Sequence, residues 1–196
     1  MNIKILLTSS GGGLGPEFLR LSKKIKKFKV INYAVDSNNN AESKYFSDYF
    51  YKVSKGKSKK FISEIKNITK KNNINIVLPG SDEDALNLSK NRKTIENAIT
   101  KIACVDYETL KILSNKQRTY DFLKKNNFDT PEYYVANTKK QLIFYIKYLI
   151  NKNRSAVIKP SISRGGRNVF IIRKSLKKIV TRNNGREIEI GISNFL

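Results

Sequence analysis

The opening of the chain is a short aliphatic run followed at once by a glycine-rich turn and an amphipathic segment, and this order limits the folds open to it. Lys4 to Ser9 is the aliphatic run, Gly11 to Pro16 is the turn, and Glu17 to Ile25 carries apolar residues at helical spacing. Strand, glycine turn and helix in this order begin a doubly wound α/β domain. We therefore expect an α/β protein with a mostly parallel sheet at its N-terminus.

Predicted strands and helices continue to alternate through the first 105 residues. The later strands are predicted at 30–35, 49–53, 74–78 and 102–105, and the helices between them at 41–46, 57–71 and directly after Ser81. Asp106 caps a further predicted helix at 107–113, and another follows at 115–125. We predict a Rossmann-like domain at residues 1–113 and a second, partial α+β domain at residues 114–196.

The second domain contains a strand, a basic glycine loop and another strand, AVIKPSISRGGRNVFII, from Ala156 to Ile172. Lys159 ends the first strand, and the loop carries Ser161, Ser163, Arg164, Gly165, Gly166 and Arg167. Backbone N–H groups and guanidinium forks of such a loop can surround an anion, for example a nucleotide phosphate. On residue types alone, an ordinary basic surface hairpin is the alternative.

Other segments of the second domain carry only structural signals. A strand is predicted to begin at 133–135, and Thr138 with Gln141 forms a capping box for a helix at 142–150. A basic helix is predicted at 175–181, after the hairpin.

The final predicted strand, at 187–192, contains the only carboxylates after Glu132, namely Glu187 and Glu189. Alternation along a strand places both on one face, an arrangement that could hold a cation. We interpret this face as plain sheet surface and assign no metal ligand to it.

A dinucleotide is a second possible ligand of the N-terminal domain. Asp36 ends the second predicted strand, where a dinucleotide-binding fold places an acidic residue against a ribose hydroxyl. Glycines 11, 13 and 15 depart from the GxGxxG spacing, so NAD binding and a merely structural turn both stay open. Likewise, the acidic residues 82–84 either complement a helix dipole or line the ligand crevice of the sheet.

Composition excludes several kinds of site. The chain has 39 Lys and Arg residues against 16 Asp and Glu, a formal charge of +23, and no histidine. His-based zinc sites and a histidine general base are therefore ruled out, and the single Cys104, in an apolar run, excludes an internal disulfide framework. The charge keeps a nucleic-acid-binding module open, although no DNA or RNA motif accompanies it. No run approaches the roughly 20 apolar residues of a membrane span, so a cytoplasmic location is expected.

Three segments in this order resemble the ATP-grasp superfamily. They are SSGGGLG after the first strand, SNKQRTYDFLKKNNFDTPEYY from Ser114 to Tyr134, and VIKPSISRGGRNVFII. The pattern is similar to that of proteins related to the carbamoyl phosphate synthase large subunit, which include carboxylate–amine ligases. The resemblance implies a preATP-grasp domain followed by the first half of an ATP-grasp domain.

The resemblance also implies a set of ATP-binding residues. Lys116 matches the first basic residue that contacts ATP phosphate, Lys159 matches the second, and Ser161 to Arg167 match the flexible loop that closes over the phosphates. In the family, ATP converts a carboxylate to an acyl phosphate, which an amine or a similar nucleophile then attacks. No catalytic residue of this chain is assigned.

Relatives continue beyond the matching segments with a second half that supplies the adenine-binding hinge and the acidic ligands of Mg²⁺, and this chain stops short of it. We expect ATP as the nucleotide, a small carboxylate as the family's substrate, and neither membrane nor nucleic acid as a partner. Self-association or a completing partner chain is also expected, because the missing half would leave apolar residues exposed: Ile188, Ile190, Ile192, Phe195 and Leu196.

Overall fold

The computed structural model describes residues 2–153, 155–163, 165–182 and 184–196. Arg164, one of the predicted loop residues, lies outside them. The chain divides into two compact units, Met1–Lys111 and Ile112–Leu196, called here the N-terminal and C-terminal units.

The N-terminal unit is built on a parallel five-stranded sheet. Its strands are β1 (Asn2–Leu7), β2 (Lys29–Asp36), β3 (Tyr49–Lys52), β4 (Ile76–Leu78) and β5 (Lys101–Ile102). The strand order is β3-β2-β1-β4-β5, and every pair is parallel. The order reverses between β1 and β4, so their carboxyl ends flank the switch point at which open α/β sheets bind ligands.

Helices cover both faces of this sheet, as the doubly wound prediction requires. They are α1 (Gly15–Ser22), a 3₁₀ turn (Glu42–Tyr45), α2 (Phe61–Asn72), α3 (Asp82–Lys90) and α4 (Arg92–Ile95); a further helix, α5 (Tyr107–Leu113), spans the boundary between the units. Successive residues of a strand point to opposite faces. Leu7 accordingly packs with Leu19 of α1, whereas Leu6 joins a separate core cluster with Phe61 and Ile65 of α2.

The glycine turn after β1 lets α1 begin directly against the backbone of the turn. A Cβ atom added to Gly15 would lie 1.8 Å from the carbonyl oxygen of Ser10, so a side chain does not fit there. Pro16 follows in the first helical turn, where its missing N–H leaves no unpaired donor. The predicted sequence of strand, glycine turn and helix is confirmed.

The last strand of the sheet is shorter than predicted. The strand ends at Ile102, and the guanidinium group of Arg92 donates to the carbonyl oxygens of Ile102, Cys104 and Val105 at 3.1, 2.5 and 3.1 Å. Cys104 is half-buried against the core, and burial raises the pKa of its thiol.

The C-terminal unit combines two longer helices with a mixed four-stranded sheet. Its elements are α6 (Lys116–Lys125), α7 (Lys139–Asn153), β6 (Ser155–Ile158), β7 (Val169–Arg173), β8 (Val180–Arg182), β9 (Glu187–Gly191) and α8 (Ile192–Phe195). The strand order is β6-β7-β9-β8, with β7 and β9 parallel and the other pairs antiparallel. The predicted hairpin is present, with Val157 opposite Ile171.

Two predicted elements of this unit are wrong. Residues 133–135 form no strand; side chains hold this segment instead, since the Tyr134 ring stacks on that of Tyr145 with a centroid distance of 4.6 Å. Residues 175–181 form no helix, and β8 takes up their C-terminal end. Ile179, Val180 and Thr181 are β-branched and favour a strand once β9 offers a ladder of hydrogen bonds.

Helix α7 covers one face of the mixed sheet. Ile146 and Ile150 of α7 are buried against Ala156, Ile172 and Ile190. The apolar residues at the C-terminus were predicted to be exposed, and this prediction is wrong for four of the five. Ile190 is buried, and Ile188, Ile192 and Phe195 pack against the same cluster. Leu196 alone of the five is more than half exposed. Within the described residues, every helix falls short of the length and hydrophobicity that a membrane crossing requires.

Candidate functional site

Helix α6 begins with a side-chain cap that fixes Lys116 in its first turn. Asn115 precedes the helix, and its side-chain oxygen accepts a hydrogen bond from the Arg118 N–H at 3.1 Å. Such a cap satisfies one of the N–H groups that a helix leaves unpaired at its start. The Asn-Lys dipeptide thereby places the first predicted ATP-binding residue at a defined point.

The predicted loop is docked on this helix start. The backbone N–H of Lys116 donates to the carbonyl oxygen of Ser161 at 2.9 Å. Its ammonium Nζ donates to the carbonyl oxygen of Ser163 at 2.8 Å and to the Ser163 hydroxyl at 3.1 Å. Three contacts therefore join Lys116 to a loop far from it in the sequence.

Lys159, the second predicted lysine, reaches the same helix. It follows β6, and its Nζ donates to the hydroxyl oxygen of Tyr120 at 2.8 Å while lying 5.0 Å from the centre of the Tyr120 ring. Tyr120 is one helical turn after Lys116, so the two residues share a face of α6. Through Tyr120, the structure brings Lys116 and Lys159 to one side of the helix.

The two loop glycines adopt a backbone conformation that side chains disfavour. Their φ angles are +60° at Gly165 and +72° at Gly166, and a Cβ on Gly166 would lie 2.9 Å from a carboxylate oxygen of Glu187. Arg186 donates through Nη1 to the carbonyl oxygen of Gly165 at 3.4 Å. Arg167 is exposed beside them.

The lysines of this site have neutral oxygens as their partners. Among the described residues, the ion pairs of the C-terminal unit join Lys152 to Glu132 and join Arg173 and Arg182 to Glu189. Neither Lys116 nor Lys159 takes part in them. An anion that displaces a carbonyl or hydroxyl oxygen from either ammonium group would form a charge-assisted hydrogen bond, which is shorter and stronger.

Two residues of this neighbourhood were not predicted from the sequence. Tyr120 lies at i+4 from Lys116, a spacing that marks a shared helix face, but its contact with Lys159 depends on tertiary packing. Arg186 is one of many basic residues, and nothing local distinguishes it.

Glu189 is not the surface residue that the alternating pattern indicated. It is only 5% exposed, and its two carboxylate oxygens accept from the guanidinium groups of Arg173 on β7 and Arg182 on β8. The hydrogen bond from Arg173 and that from Arg182 outweigh burial and lower the pKa of Glu189. A carboxylate on a sheet face is accommodated here because both neighbouring strands supply a cation.

A phosphate fits the donors of this site better than a divalent cation does. In the part of the chain that the structure describes, no group of three or more His, Cys, Asp or Glu side chains lies close enough to hold a metal ion. Mg²⁺ prefers carboxylate, carbonyl and water oxygens, whereas Lys116 and Lys159 are cations.

The carboxylate of Asp36 is hydrogen-bonded to the glycine turn of the N-terminal unit. Both carboxylate oxygens of Asp36 accept from backbone N–H groups, one from Gly11 and one from Asn38, each at 2.8 Å. Asp36 thus stabilises the turn itself.

A buried carboxylate lies at the switch point of the parallel sheet. Asp84 is 2% exposed and accepts from the hydroxyl groups of Thr8 at 2.6 Å and Ser9 at 2.7 Å. Helix α3 begins directly after Ser81, as predicted, and the Ser81 side chain caps it by accepting from the Asp84 N–H. Of the three acidic residues at this helix start, Asp84 joins β1 to α3, and Asp82 is exposed.

Residues 5–103, half of the chain, match a protein family described as PylC-like, N-terminal domain. The chain belongs to the PylC-like family. The matched residues lie within the N-terminal unit, so the parallel sheet and its glycine turn are the PylC-like domain. A search of curated proteins finds no significant match.

Solved structures similar to this PylC-like chain extend the comparison to both units. One is the N5-carboxyaminoimidazole synthetase of Staphylococcus aureus complexed with ADP, with a TM-score of 0.60, 13% identity and coverage of 88% of this chain and 41% of that one. Another is an ADP complex of N5-carboxyaminoimidazole ribonucleotide synthetase, with a TM-score of 0.61, 16% identity and coverage of 88% and 41%.

A third is the biotin carboxylase domain dimer of Hydrogenobacter thermophilus 2-oxoglutarate carboxylase, in complex with MgADP, ADP and bicarbonate. Its TM-score is 0.60 and its identity 15%, with coverage of 86% of this chain and 37% of that one. This chain therefore spans about two fifths of the length of the structures it matches. These likenesses concern the fold, and they confirm both the ATP-grasp resemblance and the predicted fold class.

Proposed function

We propose that the C-terminal unit binds the phosphates of ATP through Lys116, Lys159 and the loop Ser161–Arg167, as the first half of an ATP-grasp domain at residues 114–196. One observation supports this most directly. Lys159, far from Lys116 in the sequence, contacts Tyr120 one turn after Lys116 on α6, and a glycine loop is hydrogen-bonded to Lys116 in the first turn of that helix.

The two ammonium groups have complementary positions for a polyphosphate. Lys116 is on a helix and Lys159 at the end of a strand, so each approaches a ligand from a separate element. Both now donate to neutral oxygens, which anionic phosphate oxygens would replace with stronger hydrogen bonds. Gly165 and Gly166 leave the loop backbone free of side chains that would obstruct this approach.

We further propose that the complete site activates a carboxylate for attack by an amine, as in carboxylate–amine ligases. ATP supplies the phosphoryl group, and the lysines would stabilise negative charge as it develops during the transfer, a reaction dominated by positioning and electrostatics. The described residues offer no ligand set for Mg²⁺. A completing chain or segment that carries carboxylates is therefore part of the proposal. Since such ligases use cytoplasmic ATP, the expected location stays cytoplasmic.

Calorimetric titration with ATP, with and without Mg²⁺, tests the proposal. We expect binding that weakens about tenfold in each of Lys116→Met and Lys159→Met, because each loses one charge-assisted contact. Lys140→Met, at an exposed position of α7, is the matched control and should bind as the wild type does. Absence of ATP binding up to millimolar concentration would contradict the proposal.

The same titration separates the two other ligand classes. NAD should not bind, since the spacing of Gly11, Gly13 and Gly15 departs from GxGxxG and the proposed nucleotide site lies in the C-terminal unit. A nucleic-acid module would instead bind oligonucleotides with an affinity that falls steeply as salt rises. ATP binding that is lost only in the lysine variants of the site would favour the nucleotide proposal over both.

A further inference from the structure

Tyr120 is the contact that joins Lys159 to the helix of Lys116. Its hydroxyl oxygen accepts from Lys159 Nζ at 2.8 Å, and the centre of its ring is 5.0 Å from the same nitrogen. The ammonium group therefore lies at the hydroxyl end of the ring, where the oxygen is its hydrogen-bond acceptor.

Tyr120 is itself held in place by a second tyrosine. The centres of the Tyr120 and Tyr133 rings are 4.9 Å apart, and the Tyr133 hydroxyl donates to a carboxylate oxygen of Asp121 at 2.5 Å. This hydrogen bond raises the pKa of Tyr133. The pair of rings fixes the direction in which the Tyr120 hydroxyl points.

An exposed lysine at the end of a strand has four rotatable side-chain bonds, and ordering it on a ligand costs conformational entropy. Lys159 is exposed. Its contact with Tyr120 restricts the ammonium group before any ligand arrives. Because an ammonium group has three N–H donors, two remain for other oxygens while one stays on Tyr120.

We propose that Tyr120 is a positioning residue that holds Lys159 at a set distance from Lys116, so that the two ammonium groups form a preorganised clamp for adjacent phosphates. The inference rests on the proposed function of the site. The i, i+4 spacing of Lys116 and Tyr120 on α6 sets the separation of the two ammonium groups. The hairpin loop, which is hydrogen-bonded to Lys116, lies beside them and completes the clamp.

Tyr120→Phe tests the role of the hydroxyl, since it keeps the ring and removes only the acceptor. We expect the Kd for ATP to rise about three- to tenfold, in the range of one hydrogen bond, with no change in melting temperature. Tyr145→Phe is the matched control, because it removes a hydroxyl from a ring that stacks on Tyr134 and not on Tyr120. It should leave the Kd unchanged.

A double-mutant cycle shows whether the effect acts through Lys159. The variant Tyr120→Phe/Lys159→Met should bind ATP no more weakly than Lys159→Met alone. Additive losses, or a Tyr120→Phe variant that binds as the wild type does, would overturn the inference while leaving the proposed function intact.

A second readout works without nucleotide. Reductive methylation followed by peptide mass spectrometry reports the reactivity of each lysine, and in Tyr120→Phe the rate at Lys159 should increase several-fold relative to Lys116. An unchanged rate at Lys159 would show that Tyr120 does not hold it and would overturn the inference. Failure of the wild type to bind ATP would overturn the proposed function, and with it the clamp role, whatever the methylation rate.

Discussion

The ammonium group of Lys116 is held by Ser163, whose carbonyl and hydroxyl oxygens lie 2.8 and 3.1 Å from Nζ. The loop that is expected to close over a phosphate is therefore already attached, by neutral contacts, to one of the lysines that would bind that phosphate. A ligand must exchange with these oxygens, and the strength of the attachment sets how readily it does so.

Lys116→Met should release the loop. It removes both side-chain contacts to Ser163 and leaves only the backbone hydrogen bond from residue 116 to Ser161. Amide hydrogen exchange of the peptide that contains 161–167 should become faster, as measured by mass spectrometry. Arg118→Met, on the exposed side of the same helix, serves as the control. Equal exchange in the two variants would show that Lys116 does not hold the loop.

Gly166→Ala should destabilise the C-terminal unit by about 1–2 kcal/mol, because alanine disfavours a positive φ angle. Its φ is +72°, and the new Cβ would also press against the Glu187 carboxylate. Gly13→Ala, where a Cβ meets nothing within 4 Å, should be close to neutral. Urea unfolding gives the free energy of unfolding of each variant. A neutral Gly166→Ala would contradict the assigned loop conformation.

Glu189→Gln should lower the melting temperature at neutral pH, because it leaves two guanidinium groups facing an uncharged side chain. Arg173 and Arg182 lower the pKa of Glu189 in the folded chain. A carboxylate whose pKa is lower in the folded chain than in the unfolded chain stabilises the folded state at pH values above its unfolded-state pKa. This stabilisation is lost as the pH falls through its folded-state pKa.

The difference in melting temperature between the wild type and Glu189→Gln should therefore shrink below about pH 4. Glu187→Gln, on the same strand face but half-exposed, is the comparison and should have a smaller effect at pH 7. A difference that stays constant from pH 7 to pH 3 would exclude ionisation of Glu189 as its cause.

Asp84→Asn should destabilise the N-terminal unit by about 1–3 kcal/mol, since it replaces the charged acceptor of two hydroxyl hydrogen bonds with a neutral amide and puts an NH₂ group in the buried site. The Asp84 carboxylate is buried and accepts from Thr8 and Ser9. Asp82→Asn, two residues earlier and exposed, should change stability little. Chemical denaturation compares the two variants, and similar losses would indicate that only the helix dipole matters.

Features that depend on neighbours in the chain were predictable from residue order. The glycine turn before Gly15, the caps at Ser81 and Asp106, and the hairpin around Gly165 all follow from short spacings of residues with specific backbone preferences. The family resemblance, carried by similar local motifs, singled out Lys116 and Lys159 in the same way.

Features that depend on distant partners were not predictable. Segment 175–181 has helical spacing, but β9 offers Val180 and Thr181 a ladder that no local pattern reveals. Glu189 is on the polar side of an alternating strand, yet the arginines of two neighbouring strands allow it to be buried. Tyr120 meets Lys159 only because β6 ends beside α6. Hydrogen bonding within a turn or cap is encoded in a few adjacent residues, whereas burial and charge pairing depend on which segments the whole chain brings together.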